Sequence, residues 1–221
     1  MTLLGAVNKT GILLFFLLLS ASFTWKMVLS GDSSAMGFIL GGGIGGFIVA
    51  IATVFKQSWA PFTAPLYATL QGLFLGGISA IFEAMYEGIV MQAVGLTFGI
   101  LFALLAAYKS GMIKATENFK LGVTAATGGI FLFYVISWVL GFFGVSMPFL
   151  HDSSPLSIGI SIFIIIIASL NLVLDFDFIE NGAEMGAPKY MEWFAAFGLM
   201  VTLVWLYLEI LHLLAKLNSR D

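Results

Sequence analysis

Acidic residues at the end of one apolar segment are the first candidates for chemistry in this sequence. Residues 155–174 are predominantly apolar, and Asp175, Asp177 and Glu180 follow them directly. An aspartate at the centre of a membrane helix costs about 2.5–3.5 kcal/mol to insert. Such residues therefore tend to face a protein interior or a water-filled path, where they serve a function. We expect Asp177 and Glu180 to mark the wet end of a helix, and Asp175 to be the candidate for a buried functional carboxyl group.

Polar residues also recur along the last apolar segment, residues 190–217. Thr202, Glu209 and Lys216 are seven residues apart, close to two helical turns, so that they share one face. The segment is otherwise apolar nearly all round, which predicts burial among other helices. Glu209 is either a functional acid or the partner of His212 or Lys216 in a helix-stabilising charge cluster.

Three further residues are assigned supporting roles. Asn171 lies one helical turn before Asp175 and shares its face. Asp177 is two residues beyond Asp175, so the two point to nearly opposite sides of a helix. Glu83 follows the apolar pair 81–82, and we expect it in a tight turn at the surface, with a position facing a cavity as the alternative.

The composition indicates an integral membrane protein. Sixty per cent of the residues are hydrophobic and 10% are charged, and such values exclude an ordinary soluble domain. The net charge of −3 and the lack of a basic block give no indication of nucleic-acid binding. The chain has no cysteine, which excludes disulfides, thiolate metal sites and a cysteine nucleophile. Its two histidines, His151 and His212, are far apart in sequence, which argues against a structural zinc site.

Seven apolar segments predict an all-α, polytopic bundle of transmembrane helices, with one transmembrane domain over residues 1–221. The predicted spans are 10–29, 34–55, 62–82, 88–108, 121–143, 155–175 and 190–217. In the second span, the pairs Gly41/Gly45 and Gly42/Gly46 have the small-xxx-small spacing of closely packed helices.

The distribution of basic residues favours a cytoplasmic N-terminus. With that orientation six lysines lie on the inner side and three basic residues on the outer side. The inner set is Lys9, Lys56, Lys109, Lys114, Lys120 and Lys189, and the outer set is Lys26, Lys216 and Arg220. We therefore expect a multi-pass protein of the cell (inner) membrane, with Asp175 towards the cytoplasmic side.

Three short motifs resemble those of one family of membrane proteins. The string Ile-Val-Met-Gln-Ala-Val-Gly-Leu-Thr at 89–97 is similar to the family's Val-Leu-Gln-Ala-x-Gly-x-Thr. Leu-Asp at 174–175 is similar to the Tyr-Asp or Phe-Asp that ends the family's sixth helix, and Leu-Tyr-Leu-Glu-Ile-Leu at 206–211 is similar to a string in its seventh. The chain therefore resembles the Bax inhibitor-1 (TMBIM, YccA-like) membrane proteins, in a bacterial-looking branch, over almost its whole length.

The resemblance implies seven helices around a central seventh helix and a pH-regulated calcium leak across the membrane. In the family, an aspartate at the end of the sixth helix and one in the seventh form the proposed sensor, and Asp175 corresponds to the first. For the second, the Tyr-Leu-Asp match selects Glu209, whereas the length of the remaining helix selects Thr202, about 10 Å away along the axis. The family's basic partner in the second helix is missing, because Lys56 lies only at the end of that helix.

Two carboxyl groups a few ångströms apart do not both ionise easily, so such a pair titrates as a unit. A shared proton would clamp the sixth helix to the seventh, and full ionisation would loosen the contact and offer oxygen ligands to calcium. We therefore predict a pH-sensitive calcium leak gated by Asp175 and a polar partner on the last helix. Asp175 and Glu209 are the candidate calcium ligands; no cofactor and no enzymatic activity are expected.

Three other functions remain open. Some YccA-like proteins are regulatory partners of a membrane protease, and a proton-coupled carrier of small solutes would need similar buried acids. An intramembrane aspartyl protease also places one acid on each of two helices. That class needs Gly-x-Gly-Asp on its second helix, whereas the last helix here offers only Glu209.

Overall fold

The computed structural model describes residues 1–143, 152 and 154–219. These residues form seven long α-helices, a short 3₁₀ turn at Gln57–Trp59 and no strand. The helices are α1 (Leu3–Leu29), α2 (Ala35–Phe55), α3 (Ala60–Met85), α4 (Ile89–Lys109), α5 (Glu117–Phe142), α6 (Pro155–Glu184) and α7 (Met191–Asn218). All seven are long and apolar enough to cross a bilayer, which confirms the predicted all-α transmembrane bundle. His151 and Arg220, which entered the sequence arguments, lie outside the described residues.

The sixth helix is longer than predicted. The predicted span ends at Asp175, whereas α6 continues to Glu184, because residues 176–184 contain no proline and only one glycine and so remain able to form a helix. The connection between the last two predicted spans is correspondingly shorter, and the chain turns at Gly186, which has φ +62°. Asp175 therefore lies inside a helix that is about 45 Å long, more than the hydrocarbon core of a bilayer.

The first and third helices also extend beyond the predicted spans. α1 begins at Leu3 rather than Thr10, and the side chain of Thr2 caps it by accepting a hydrogen bond from the backbone N–H of Gly5 at 3.0 Å. α3 continues to Met85, so Glu83 lies in its last turn rather than in the connection. In both cases polar residues near a membrane interface were predicted as loop, although they are compatible with a helix.

Contacts group the chain into two compact units, and the single transmembrane domain stays a prediction. The first unit contains residues 1–87 and 177–201. Within it, α3 packs against both α1 and α2. A Cβ atom on Gly76 would lie 2.1 Å from the carbonyl oxygen of Ala21, and one on Gly72 would lie 2.2 Å from that of Leu17. These two glycines thus allow the backbones of α1 and α3 to come into direct contact.

Only one of the two predicted glycine pairs of α2 serves this purpose. A Cβ atom on Gly42 would lie 2.5 Å from the carbonyl oxygen of Leu70, and one on Gly46 would lie 2.7 Å from Oε1 of Gln71, both on α3. Gly41 has no neighbour within 4 Å, and Gly45 has only ordinary contacts. The spacing predicts close packing correctly for Gly42/Gly46, while Gly41 and Gly45 make no such close approach.

The second unit contains residues 88–176 and 202–221. It comprises α4, α5, the first 22 residues of α6 and the part of α7 from Thr202 onward. α7 is the most buried of the seven helices, with 67% of its most apolar stretch buried, compared with 44% for α3 and α6. The predicted burial of the last helix is therefore confirmed, and its polar residues lie in a largely apolar surrounding.

Candidate functional site

Asp175 lies in the second unit, between residues of α6 that are almost wholly buried. Leu172 and Val173 have no exposed surface. The carboxyl group of Asp175 shares a side-chain hydrogen bond with the hydroxyl of Thr202 on α7. Its other oxygen, Oδ2, is buried and has no hydrogen-bond partner among the described residues, although the residue as a whole keeps some exposed surface. Of the two partners that the sequence left open, Thr202 and Glu209, the structure places Thr202 beside Asp175.

A threonine partner changes the chemistry from that of a pair of acids. Thr202 cannot share a proton between two carboxylates, because its hydroxyl does not ionise in water. The hydroxyl can, however, donate to an ionised Asp175 or accept from a protonated one. The arrangement is therefore one titratable group, on α6, with one adaptable polar partner, on α7. Thr202 is only 8% exposed and Oδ2 of Asp175 is buried, so the polar atoms of this contact are largely shielded from water.

Asn171 extends the polar contacts of Asp175 by one helical turn. Its side-chain Nδ2 donates to the hydroxyl of Thr127 on α5 at 2.8 Å and to the carbonyl oxygen of Ile167 at 2.8 Å. The predicted supporting position, on the same face of α6 as Asp175, thus carries a bridge to a third helix. The spacing of residues in the sequence gives no indication that Thr127 of α5 meets Asn171.

Glu209 is buried at a separate position on α7. The residue is only 8% exposed. Its Oε1 accepts hydrogen bonds from the hydroxyl of Tyr134 at 2.9 Å and from Nε1 of Trp205 at 3.1 Å. Trp205 is one turn before Glu209 on the same helix, whereas Tyr134 comes from α5. Glu209 is therefore held by two aromatic donors, and the helix-stabilising charge cluster with His212 or Lys216 stays a prediction.

Lys216 interacts electrostatically with Glu209 and also contacts α6. Its Nζ donates to the hydroxyl of Ser161 on α6 at 2.9 Å. Ser161 is 4% exposed, and Ser157, one turn earlier on α6, is fully buried with no hydrogen-bond partner for its Oγ among the described residues. Lys216 and the buried Ser161 thus form a further polar contact between α6 and α7, one turn from the unpartnered Ser157.

Asp177 and Glu83 belong to the first unit. The Oδ2 atom of Asp177 accepts a hydrogen bond from Nδ2 of Asn181, one turn later on α6, at 2.8 Å. Glu83 is half-buried in the last turn of α3. Glu180 is exposed on α6, as expected for a wet helix end. The supporting roles assigned to Asp177 and Glu83 stay predictions.

The shared calcium site of Asp175 and Glu209 also stays a prediction, and the geometry does not favour it. Calcium binds its oxygen ligands at about 2.3–2.6 Å. Thr202, the neighbour of Asp175, is seven residues from Glu209, or about 10 Å along the axis of α7. No cluster of three or more histidine, cysteine, aspartate or glutamate side chains arranged to hold a metal occurs in the described part of the chain.

The sequence arguments missed one buried acid, Glu192, in the first turn of α7. It is 3% exposed, and its Oε1 accepts hydrogen bonds from the backbone N–H of Thr2 at 3.0 Å and from the Thr2 hydroxyl at 3.1 Å. Its Oε2 lies 3.9 Å from Nζ of Lys9, which is also 5.3 Å from the centre of the Trp193 ring. Acids are common in first turns, where the helix dipole favours them, so the residue pattern contains no signal for the burial of Glu192.

Seven apolar helices that carry buried polar contacts define this chain as a multi-pass α-helical membrane protein. Within that class it belongs to the Bax inhibitor 1 like family, whose sequence model matches residues 1–219. No curated protein and no solved structure matches the chain significantly. The family predicted from the motifs at 89–97, 174–175 and 206–211 is thus confirmed, while the bacterial-type branch stays a prediction.

Proposed function

We propose that this protein is a pH-sensitive leak for calcium ions, gated by protonation of Asp175. The observation that supports the proposal most directly is the hydrogen bond from Thr202 on α7 to a carboxyl group on α6 whose Oδ2 is buried without a described partner. A buried polar atom without a partner is unfavourable, and much more so when it carries charge. Small changes in protonation at Asp175 are therefore coupled to how α6 and α7 pack.

The two protonation states favour different arrangements. A protonated Asp175 is neutral and needs only the hydroxyl of Thr202, so the apolar packing around Leu172 and Val173 remains intact. An ionised Asp175 needs further donors or a cation for Oδ2, which one hydroxyl does not supply. Ionisation thus favours an arrangement that admits water and cations to the contact. We expect the leak to increase as the pH rises through the titration of Asp175.

Calcium is the proposed ion because it is a hard cation that prefers oxygen ligands. Asp175, Thr202 and Asn171 offer a carboxylate, a hydroxyl and an amide oxygen on neighbouring turns of α6 and α7. Such a partial ligand set suits transient binding, and conduction requires that an ion leaves as readily as it enters. Glu209, in the same unit, is proposed as a second carboxylate that the ion meets. No resident cofactor is needed for this function.

Calcium flux into dye-loaded liposomes at several pH values tests the proposal. Wild type is expected to leak more at high than at low pH, whereas Asp175→Asn, which resembles the protonated form, is expected to leak slowly at every pH. Glu180→Gln is the matched control, because it removes an exposed carboxylate from the same helix and should keep the wild-type profile. A wild-type pH profile in folded Asp175→Asn protein would contradict the proposal.

We propose further that the protein is not an enzyme. An aspartyl protease needs two carboxyl groups that activate one water molecule, and the side chain that meets Asp175 is a hydroxyl. A regulatory partner of a membrane protease or a proton-coupled carrier would need no calcium flux. Either role would be favoured if the liposome assay showed no calcium flux. The cell (inner) membrane and a cytoplasmic N-terminus are proposed from the excess of lysines on one side.

A further inference from the structure

Polar side chains of the second unit occur at three levels along α6 and α7. The first level contains Asp175 and Thr202 with Asn171 and Thr127; the second contains Glu209 with Tyr134 and Trp205; the third contains Lys216 and Ser161 with Ser157. Each level includes residues from at least two of the helices α5, α6 and α7. A buried polar group is costly unless it has a partner or a purpose, so a recurrence over three levels is unexpected for simple core packing.

The first and third levels fix the register between α6 and α7. Asp175 and Ser161 are 14 residues apart on α6, and their partners Thr202 and Lys216 are also 14 residues apart on α7. Both separations correspond to about 21 Å of helix. The two helices therefore run antiparallel in one register over this length, which is about two-thirds of the hydrocarbon core. The second level falls between the other two.

The buried polar atoms without a described partner are at the two ends of this column. They are Oδ2 of Asp175 and Oγ of Ser157. Along α6 the positions 157, 161, 164, 168, 171 and 175 follow one another at steps of four and three residues, so they share one face of the helix. Both unpartnered atoms thus belong to the face of α6 that carries the residues of the first and third polar levels. Groups of this kind are typical of sites that meet water or an ion.

An apolar cluster interrupts the column between its ends. Ile130 of α5 packs with Ile164 and Ile167 of α6, and these three residues, the apolar collar, are 8%, 3% and 8% exposed. Trp205, which donates to Glu209, packs against the same cluster. Packed apolar side chains of this kind can keep a path closed by excluding water from it.

We propose that the cation path of this protein runs along the shared face of α5, α6 and α7, from Asp175 to Ser157, and that the apolar collar around Glu209 keeps it closed. The proposal rests on the leak function proposed above for the identity of the ion, and it adds the route. In this path Glu209 is the carboxylate at the narrowest point, held by Tyr134 and Trp205. The permeating species is a hydrated cation that sheds water at the collar.

The absence of cysteine from the sequence permits a direct test with single cysteines. Ser157→Cys, Ile164→Cys and Asn171→Cys are reacted in liposomes with a charged, membrane-impermeant thiosulfonate from either side. We expect Ser157→Cys to react from one side only and Asn171→Cys from the other side only. Ile164→Cys should react from neither side at low pH and at least tenfold faster at high pH. Ile166→Cys, whose parent side chain is 50% exposed on another face of α6, should remain unreactive because lipid covers it.

A matched pair of threonine substitutions tests the collar by function. Ile164→Thr places a hydroxyl in the collar, and Ile166→Thr makes the same chemical change two residues away on the exposed face. We expect Ile164→Thr to raise calcium entry into liposomes at low pH at least tenfold and Ile166→Thr to leave it within a factor of two. Elution from a sizing column and the thermal midpoint in detergent establish that both variants are folded.

The outcomes separate the path from the gate. Equal leak in the two folded threonine variants would overturn the path, as would labelling of Ser157→Cys and Asn171→Cys from the same side. If Ile164→Thr does not fold, the cysteine labelling decides alone. If wild type never conducts but Ile164→Thr does, the path stands and the proposed gating by Asp175 fails. If Asp175→Asn alters the pH profile while the threonine pair leaks alike, the gating stands and the path fails.

Discussion

Replacing Thr202 by valine is the most sensitive test of how the gate works. The substitution removes the hydroxyl that bonds to Asp175 and puts a methyl group in nearly the same space. A hydrogen bond to an ionised group contributes about 1.5–3 kcal/mol, and one between neutral groups about 0.5–1.5 kcal/mol. The hydroxyl therefore favours the ionised over the protonated Asp175 by about 1–1.5 kcal/mol. Since about 1.36 kcal/mol corresponds to one pH unit, the midpoint of the leak profile should move upward by about one pH unit.

The assay is calcium entry into dye-loaded liposomes at closely spaced pH values, with the midpoint fitted for each variant. Thr202→Ser keeps a hydroxyl at the same position and is expected to keep the wild-type midpoint to within a few tenths of a pH unit. Asp175→Asn provides the profile without a titrating group. The thermal midpoint in detergent must be compared as well, because a threonine-to-valine change in a packed core is not neutral for stability.

The direction of the shift decides between interpretations. An upward shift in Thr202→Val, with Thr202→Ser unchanged, is expected if the hydroxyl acts as a donor to the carboxylate. An unchanged midpoint would show that the hydrogen bond from Thr202 does not act on the titrating group, and a downward shift would show that the hydroxyl stabilises the protonated form more than the ionised form. Either result would refute the reasoning, even if Asp175→Asn abolishes the pH dependence.

Two further predictions concern stability, measured as the thermal midpoint in detergent. Gly76→Ala should destabilise by about 1–3 kcal/mol, because its Cβ would lie 2.1 Å from a carbonyl oxygen of α1; Gly95→Ala, with no neighbour within 4 Å of the new Cβ, should be neutral or slightly stabilising. Glu192→Gln should lower the midpoint by an amount equivalent to about 1–3 kcal/mol, because it leaves Lys9 without its buried counter-charge. Glu184→Gln, which changes an exposed residue, should leave the midpoint unchanged. Equal effects within either pair would contradict these explanations.

The number and type of helices could be predicted because the bilayer sets a length and an apolar composition for each span. The same physics explains the errors at the helix ends. Asp175 was placed at the end of the sixth span because charge is unfavourable in lipid, but a helix ends where its backbone can no longer continue, and α6 continues to Glu184. The cost of burying a charge identifies Asp175 as a candidate functional residue, but it does not show where the sixth helix ends.

The sequence predicts that small residues of a helix pack against another helix, but it does not show which of two equally spaced sets makes the contact. Gly41/Gly45 and Gly42/Gly46 have identical spacing in the sequence, and only the structure shows that the second pair meets α3. Small residues predict a close contact between helices. When the whole segment is apolar, the neighbouring residues do not indicate which face of the helix makes that contact. The same ambiguity affects the last helix, where Thr202 and Glu209 lie on one face, seven residues apart, and either could be the partner of Asp175.

The choice between Thr202 and Glu209 depends on the register of α7 against α6, which is a property of the packed pair. A shift of α7 by two turns, about 10 Å, would bring Glu209 to Asp175 and would separate Lys216 from Ser161. The structure satisfies Glu209 with Trp205 of the same helix and with Tyr134 of α5 instead, and a shift of α7 would leave Tyr134 without its acceptor. Three polar contacts between helices thus select one register together, and that register places a hydroxyl, not a second acid, beside Asp175. The gate proposed here accordingly responds to a single titrating group, so its pH profile should rise with the slope of one proton rather than two.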